Sequence, residues 1–475
     1  MPLNLILAFF LFPQGPSLSD TIPSLADTVQ GAQSDSVIIN QVLVLGNKVT
    51  RRHIIMRELS FRENDTVAYA DLPLLFKASQ QNLLNTSLFN FVTIDTFDTR
   101  NNTVNVMISV KERWYTWPVP IFELADRNFN TWWKTRDFER VNYGFFLNRD
   151  NFRGRKERVA LIARFGYSEL YGFSYTIPYV NRKQTAGIGF SFTYSRNHEI
   201  SYGSSGNRQL FFKDEENYVR EELSAKASFS KRKGIYNSYT VEARYFKGWV
   251  EDTVLKLTSD YFTGNRNTME YFSAEFYYKS DHRDSKAYPL EGYFFDASVT
   301  KVGLGILPEE RTDLVYAAAL FRQYWHLGGR WYWASALRGK ISSQTRQPYY
   351  TQRGLGYGRD YIRAYEYYVI DGQHYSLLKN NLKFVIVRPK VRSVSAVPLE
   401  KFNTFHYALY ANLFFDCGYV WDKLYYAVNP LSNEVLYGFG AGIDFVTYYD
   451  TVIRLEYGFT KSLESGLFLH FATPI

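Results

Sequence analysis

The chain has 475 residues, of which 46% are hydrophobic and 18% aromatic, and it carries a net charge of +8. With 21% charged residues and a mean hydropathy of -0.29 it is not a bundle of membrane helices, and no internal apolar run approaches the ~20 residues that such a helix needs. The 39 Tyr and 38 Phe favour strands over helices, and a single cysteine, Cys417, excludes an internal disulfide.

The first element is "LNLILAFFLF", Leu3 to Phe12, which has the length of a signal-peptide core although no positive charge precedes it. Residues 1–19 are therefore read as a signal peptide and 20–35, rich in Ser, Asp and Pro, as a flexible lead-in. From residue 36 to 114 the periods are mixed. "VIINQVLVLGN" alternates as a strand, "RRHIIMREL" puts Ile54, Ile55 and Leu59 on one helical side, and Leu74, Leu75, Ala78, Leu83 and Leu84 form a second helical stripe. "FVTIDTFDT" and "TVNVMISVKE" follow as alternating strands, which completes a compact βααββ module.

After a connector, 115–138, the helical period disappears and residues 139–475 read as strands. In "TAGIGFSFTYS", Ile188, Phe190, Phe192 and Tyr194 oppose Gly187, Gly189, Ser191 and Thr193. In "LYGFGAGIDFV", Tyr437, Phe439, Ile443 and Phe445 oppose Gly438, Gly440, Gly442 and Asp444, and "TVIRLEYGF" sets Arg454, Glu456 and Gly458 against Ile453, Leu455 and Tyr457. Large apolar side chains on one face and small or charged ones on the other suit a barrel with lipid outside and a polar interior. A soluble β-sandwich with one wet face would alternate too, but it would not need aromatics near its strand ends. Sixteen segments alternate between about Glu139 and Phe471, counting the weak one at Val254 to Tyr261. The fold expected is mainly β, a 16-stranded transmembrane antiparallel β-barrel behind one small α+β domain. In this count the glycine-rich stretch from Ser342 to Tyr375 follows the eleventh strand, and the last strand directs Leu467, Leu469 and Phe471 outward and ends at Ile475.

The N-terminal module resembles a POTRA domain of the BamA/TamA-type outer-membrane superfamily, on "VLVLGNKVTRRHIIMREL", "NLLNTSLFNFVTI" and "VNVMISVKE". The superfamily carries a Val/Ile-Arg-Gly-Phe/Tyr motif in the same long loop, folded back into the lumen. Here "IRAY", Ile362, Arg363, Ala364 and Tyr365, is similar to it, with alanine in place of glycine. The strand "YALYANLFFDCGYVWD" resembles the family's Phe-x-Asp-x-Gly strand, which points Asp416 and Gly418 inward and makes Asp416 the expected partner of Arg363. Asp444, Arg454 and Glu456 are alternative inward partners, and Lys383 is expected where the family often has a second acid. If Ala364 adopts a positive φ, strain of about 1 kcal/mol follows; otherwise the tip takes another turn.

The resemblance implies a bacterial outer-membrane protein with its POTRA domain in the periplasm. It also implies a role in inserting or translocating outer-membrane or surface proteins, by strand templating at the seam between the first and last strands. Partners would be the lipid bilayer, unfolded clients, and periplasmic chaperones or accessory lipoproteins. A dedicated secretion pore for a passenger protein, lipid or glycan is the alternative, and a scaffold for a larger complex is a third. Basic residues scattered over alternating strands do not favour nucleic acid. Seven histidines without metal-ligand spacing, "GLGYGRD" without a following helix, and no Ser/His/Asp order give no expectation of metal, cofactor or catalysis.

Overall fold

A computed structural model describes residues 36–100, 102–124, 141–308, 310–393, 402, 404–447 and 451–471. The expected signal peptide, the lead-in, residues 125–138 of the connector and Ile475 lie outside the described residues. In the N-terminal module, β1 (Ser36–Leu45) runs parallel to β4 (Thr103–Glu112), and β3 (Phe89–Arg100) pairs antiparallel on the far side of β4. A three-residue strand, β2 (Thr66–Ala68), adds to the free side of β1; it is too short for alternation to reveal. Helices α1 (Arg52–Met56) and α2 (Leu72–Leu84) cover one face, where Ile54, Ile55, Leu59, Leu72 and Leu83 pack against Val104, Val106 and Ile108. The second helical stripe differs from expectation at Leu74, which is 68% exposed. The buried face is set by Leu72, Ser79 and Leu83, at 3.6-residue period, and Leu74 falls on the opposite side. Ser79 and Asn82 sit in that face because each is satisfied: Ser79 Oγ accepts from the Ser60 N–H, and Asn82 Nδ2 donates to the Glu58 carbonyl.

The second body is one sixteen-stranded antiparallel sheet. Its strands begin with β5 (Thr116–Leu124), β6 (Val141–Phe152), β7 (Glu157–Gly166), β8 (Ser168–Ile177) and β9 (Ala186–Asn197). A separate hairpin, β10 (Glu199–Ser205) and β11 (Arg208–Lys213), interrupts the series. It resumes with β12 (Arg220–Lys233), β13 (Asn237–Val250), β14 (Thr268–Asp281), β15 (Gly292–Val302), β16 (Leu314–Gly328) and β17 (Trp331–Ser342). It ends with β18 (His374–Ser393), β19 (Thr404–Trp421), β20 (Val435–Val446), β21 (Val452–Thr460) and β22 (Ser465–Phe471).

Two memberships differ from the sequence reading. The first strand is β5, inside the expected connector, and the strand expected to come first is the second, β6, already paired on both sides. Pro118 and Pro120 disguise β5, yet a strand with only one ladder tolerates them. Conversely, Val254 to Tyr261 is no strand. It contains the short helix α3 (Asp252–Leu257), and Val254, Tyr261 and Phe262 are buried together in a loop core.

Alternation sorts the two faces of the sheet. Phe190, Val241, Leu413 and Leu467 are exposed on one side, while glycines and charged residues of β19 to β21 point to the other. The sheet curls around that second side, since side chains from distant strands meet there. Among the described residues no ladder joins β22 to β5, so both remain edges. Leu467, Leu469 and Phe471 are exposed, and the free edge at Leu469–Phe471 borders an interior cavity of about 490 Å³ shared with Asp296, Arg322 and Arg338.

The two ends of this barrel differ. At the near end, the turns after the second, fourth, sixth and eighth strands touch the α+β module. Examples are Arg51 N–H to Gly154 O (2.9 Å), Arg57 Nε to Gln184 O (2.8 Å), and Asn85 Nδ2 to Arg283 O (3.2 Å). At the far end, the β10–β11 hairpin, the segment between β17 and β18 and the β19–β20 loop knit together. Gly206 N–H donates to Val428 O (2.7 Å), Val369 N–H to Asn207 O (2.9 Å), and Asn429 Nδ2 to Ser204 Oγ (2.9 Å).

Candidate functional site

The long segment between β17 and β18 turns back from this far-end cap into the barrel, tied by a bridge between Leu355 and Ile370. Its tip is "IRAY", and Ile362, Arg363, Ala364 and Tyr365 are all buried. Arg363 is 2% exposed, so each of its five N–H donors needs a partner. Each has one. Nε and Nη2 donate to Asp416 Oδ2 (2.8 Å) and Oδ1 (2.5 Å) in a two-pronged pair, and Nη2 also reaches Asn380 O (3.1 Å). Nη1 donates to Asn381 Oδ1 (2.7 Å) and Glu456 Oε1 (3.1 Å). The backbone N–H of Arg363 adds a third bond to Asp416, and the guanidinium lies 4.2 Å from the centre of the Phe414 ring.

Beside this group sits a second pair. Arg454 donates Nε and Nη2 to Asp444 (2.7 and 3.0 Å), which also accepts from Asn412 Nδ2 (3.0 Å) and from the Tyr288 hydroxyl (2.7 Å). Asp416, Gly418, Asp444, Arg454 and Glu456 thus all face inward, with Asp416 and Glu456 on Arg363, and Asp444 on Arg454. Lys383 does not stand where a second acid would meet the loop arginine. Asn381, two residues earlier on the same face, has that place, and Lys383 is buried with its ammonium 4.3 Å from the Tyr288 ring centre.

Ala364 keeps the left-handed turn, at φ +73, so the tip does not switch to another conformation. Glycines on the wall make the space for it. A Cβ at Gly418 would meet Ile362 Cδ1 at 2.7 Å, one at Gly458 would meet Ala364 Cβ at 3.1 Å, and Gly438 lies directly under the carbonyl of Arg363 with no room for a side chain. The sequence displays these inward glycines as one face of alternating strands; that they form the seat of the loop required knowing which loop enters.

A further contact went unforeseen at the near end. Glu58 of the module is 1% exposed and accepts from Arg232 Nη1 (2.6 Å) and Nη2 (2.7 Å) and from Tyr179 (3.2 Å). Burial alone would raise its carboxyl, but Lys156, Arg232 and Arg57 hold it at about 2. At the far end, Asp371 accepts from Ser204 and Tyr357, and burial raises its carboxyl above the usual range.

Two family descriptions match the sequence: POTRA, surface antigen variable number repeat, over residues 37–113, and the Omp85 superfamily domain over 151–376. Together they take in more than half of the chain. The protein belongs to the Omp85 superfamily. The module is its POTRA domain and the sheet its transmembrane barrel. Among solved structures, CdiB from Escherichia coli is similar at a TM-score of 0.54 and 12% identity, covering 91% of this chain and 75% of that one. BamA from Haemophilus ducreyi lacking POTRA domains 1-3 gives 0.47 and 15%, covering 90% and 81%. At 12% identity the likeness to CdiB speaks for the fold alone. No curated protein matches the sequence.

Proposed function

We propose that this Omp85 barrel resides in a bacterial outer membrane, its POTRA domain in the periplasm, and inserts or translocates outer-membrane or surface proteins without covalent chemistry. The observation that carries this reading is the pair of edges, β5 and β22, left without a ladder among the described residues in a barrel whose far end is capped. Unpaired N–H and C=O groups in lipid are costly, and an incoming strand satisfies them by adding to the edge. In this reading the Arg363–Asp416 pair pins the loop to the wall and keeps the barrel in shape while the seam works. The cap and the buried loop tip leave a secretion pore as the weaker reading, since a passenger would have to displace both.

Depletion tests it. Loss of many barrel proteins from the outer membrane is the expected result. Loss of one secreted product only would replace this reading with a dedicated exporter, and loss of neither would leave a scaffold.

A further inference from the structure

Between the POTRA domain and the barrel lies a cavity of about 390 Å³ whose lining is lopsided in charge. The barrel contributes Lys156 from the β6–β7 turn, Arg232 from β12, Lys279 from β14 and Lys286 from the β14–β15 loop; the carboxylates are Glu58 and Asp281. Both acids are already engaged. Glu58 is held by Arg232, and Asp281 is closed by Arg283 through two 2.8 Å bonds. The lysines are left short of partners. Lys156 Nζ comes no nearer to Glu58 than 3.8 Å, Lys286 Nζ donates to the Asn85 carbonyl (2.8 Å), and Lys279 has no hydrogen bond or ion pair among the described residues. Burial lowers Lys156 to about 7 against the pull of Glu58, with Arg232 and Lys286 repelling it. Burial, with Lys279 and Arg232 nearby, lowers Lys286 to about 8 despite Asp281.

We propose that this cavity binds a phosphate group, held by Lys156, Lys279 and Lys286 under the roof of the POTRA domain. A phosphate supplies the missing negative charge, with oxygens enough for three ammonium groups at once, and lysines suit it as point charges on flexible stems. Ser230 on the barrel wall adds a hydroxyl donor. The roof contains Glu58, Asn82 and Asn85, so an occupied site ties the POTRA domain to four barrel segments at once. The group arrives either on a lipid headgroup or as a free anion.

The intact protein, purified in an uncharged detergent, is titrated calorimetrically with inorganic pyrophosphate and with short-chain phosphatidylglycerol; a diacylglycerol of equal chain length is the control. Saturable binding of either phosphate probe is expected, weakened about tenfold or more in Lys279→Gln/Lys286→Gln. Removing two crowded lysines relieves repulsion, so this variant keeps its heat-modifiable gel shift. A second variant, Ser230→Glu, places a carboxylate in the cavity and abolishes binding with all three lysines present. Preference for the lipid identifies a headgroup, and preference for pyrophosphate a free anion. Wild-type protein that binds neither probe, or equal binding by both variants, overturns the proposal.

Discussion

Tyr288, on the β14–β15 loop, donates a 2.7 Å hydrogen bond to Asp444 in β20, deep in the lumen. The same loop holds the POTRA domain through Lys286 and Asn85, while Asp444 holds Arg454, whose Nε lies 3.8 Å from the Glu456 oxygen that binds Arg363. A continuous line of polar contacts therefore runs from the POTRA domain to the loop tip. Tyr288→Phe keeps the ring beside Tyr410 and removes only the donor. Its expected cost is about 1–2 kcal/mol, read as a lower unfolding temperature on semi-native gels. A wild-type transition would mean the bond contributes nothing.

Arg363→Ala leaves Asp416 and Glu456 buried without their shared cation, and Asp416→Ala strands the guanidinium. Either change should cost about 3–5 kcal/mol in barrel stability, and the double variant far less than the sum. Arg363→Lys should not restore the loss, because an ammonium cannot make the five-donor fork. Additive losses in the double-mutant cycle would show that the two residues act independently.

Gly438→Ala keeps every charge and removes only space. The added methyl collides with the Arg363 carbonyl, so the loop tip is unseated at a cost of about 1–3 kcal/mol. Faster proteolysis within residues 343–373 should report it, with the barrel fragment itself intact.

At Ala364 two effects oppose each other. Glycine would relieve left-handed strain of about 1 kcal/mol but lose a buried methyl of similar worth. Ala364→Gly should therefore be nearly neutral in the same gel assay. Ala364→Val, β-branched and larger, should destabilise clearly. A large gain from glycine would mean the methyl packs poorly.

Glu58 makes POTRA docking sensitive to acid. Its carboxyl titrates near 2 when docked and near 4.5 when free, so the undocked state binds more protons between those values. The contribution, about 3 kcal/mol, is present above pH 4.5 and lost as pH falls toward 2. Hydrogen exchange at α1 measured against pH should show this loss, and Glu58→Gln should flatten the profile. An unchanged profile in the variant would remove Glu58 from the docking account.

Strands such as β20 and β21 were legible because lipid-side and lumen-side residues alternate without exception over their length. β5 was not, because Pro118 and Pro120 erase the usual strand signal, and only its position at the sheet edge makes them harmless. Strand phase marked Asp416 as inward by parity, but its pairing with Arg363 was what the family resemblance implied, since that resemblance alone brings the loop tip into the lumen. Glu456 could be listed but not ranked, and Asn381 was missed, because which rung of the wall the tip reaches depends on how deep the loop inserts. The Glu58 contacts were invisible for a related reason: nothing in either segment's period says where two folded bodies will touch.

The inward glycines Gly418, Gly438 and Gly458 of β19 to β21 leave the wall as bare backbone on its lumen side just where the loop tip sits. Ile362 and Ala364 supply the upholstery those strands lack. The loop is thus less a door than a lining, and any rearrangement that frees it must strip that patch of the wall down to its frame.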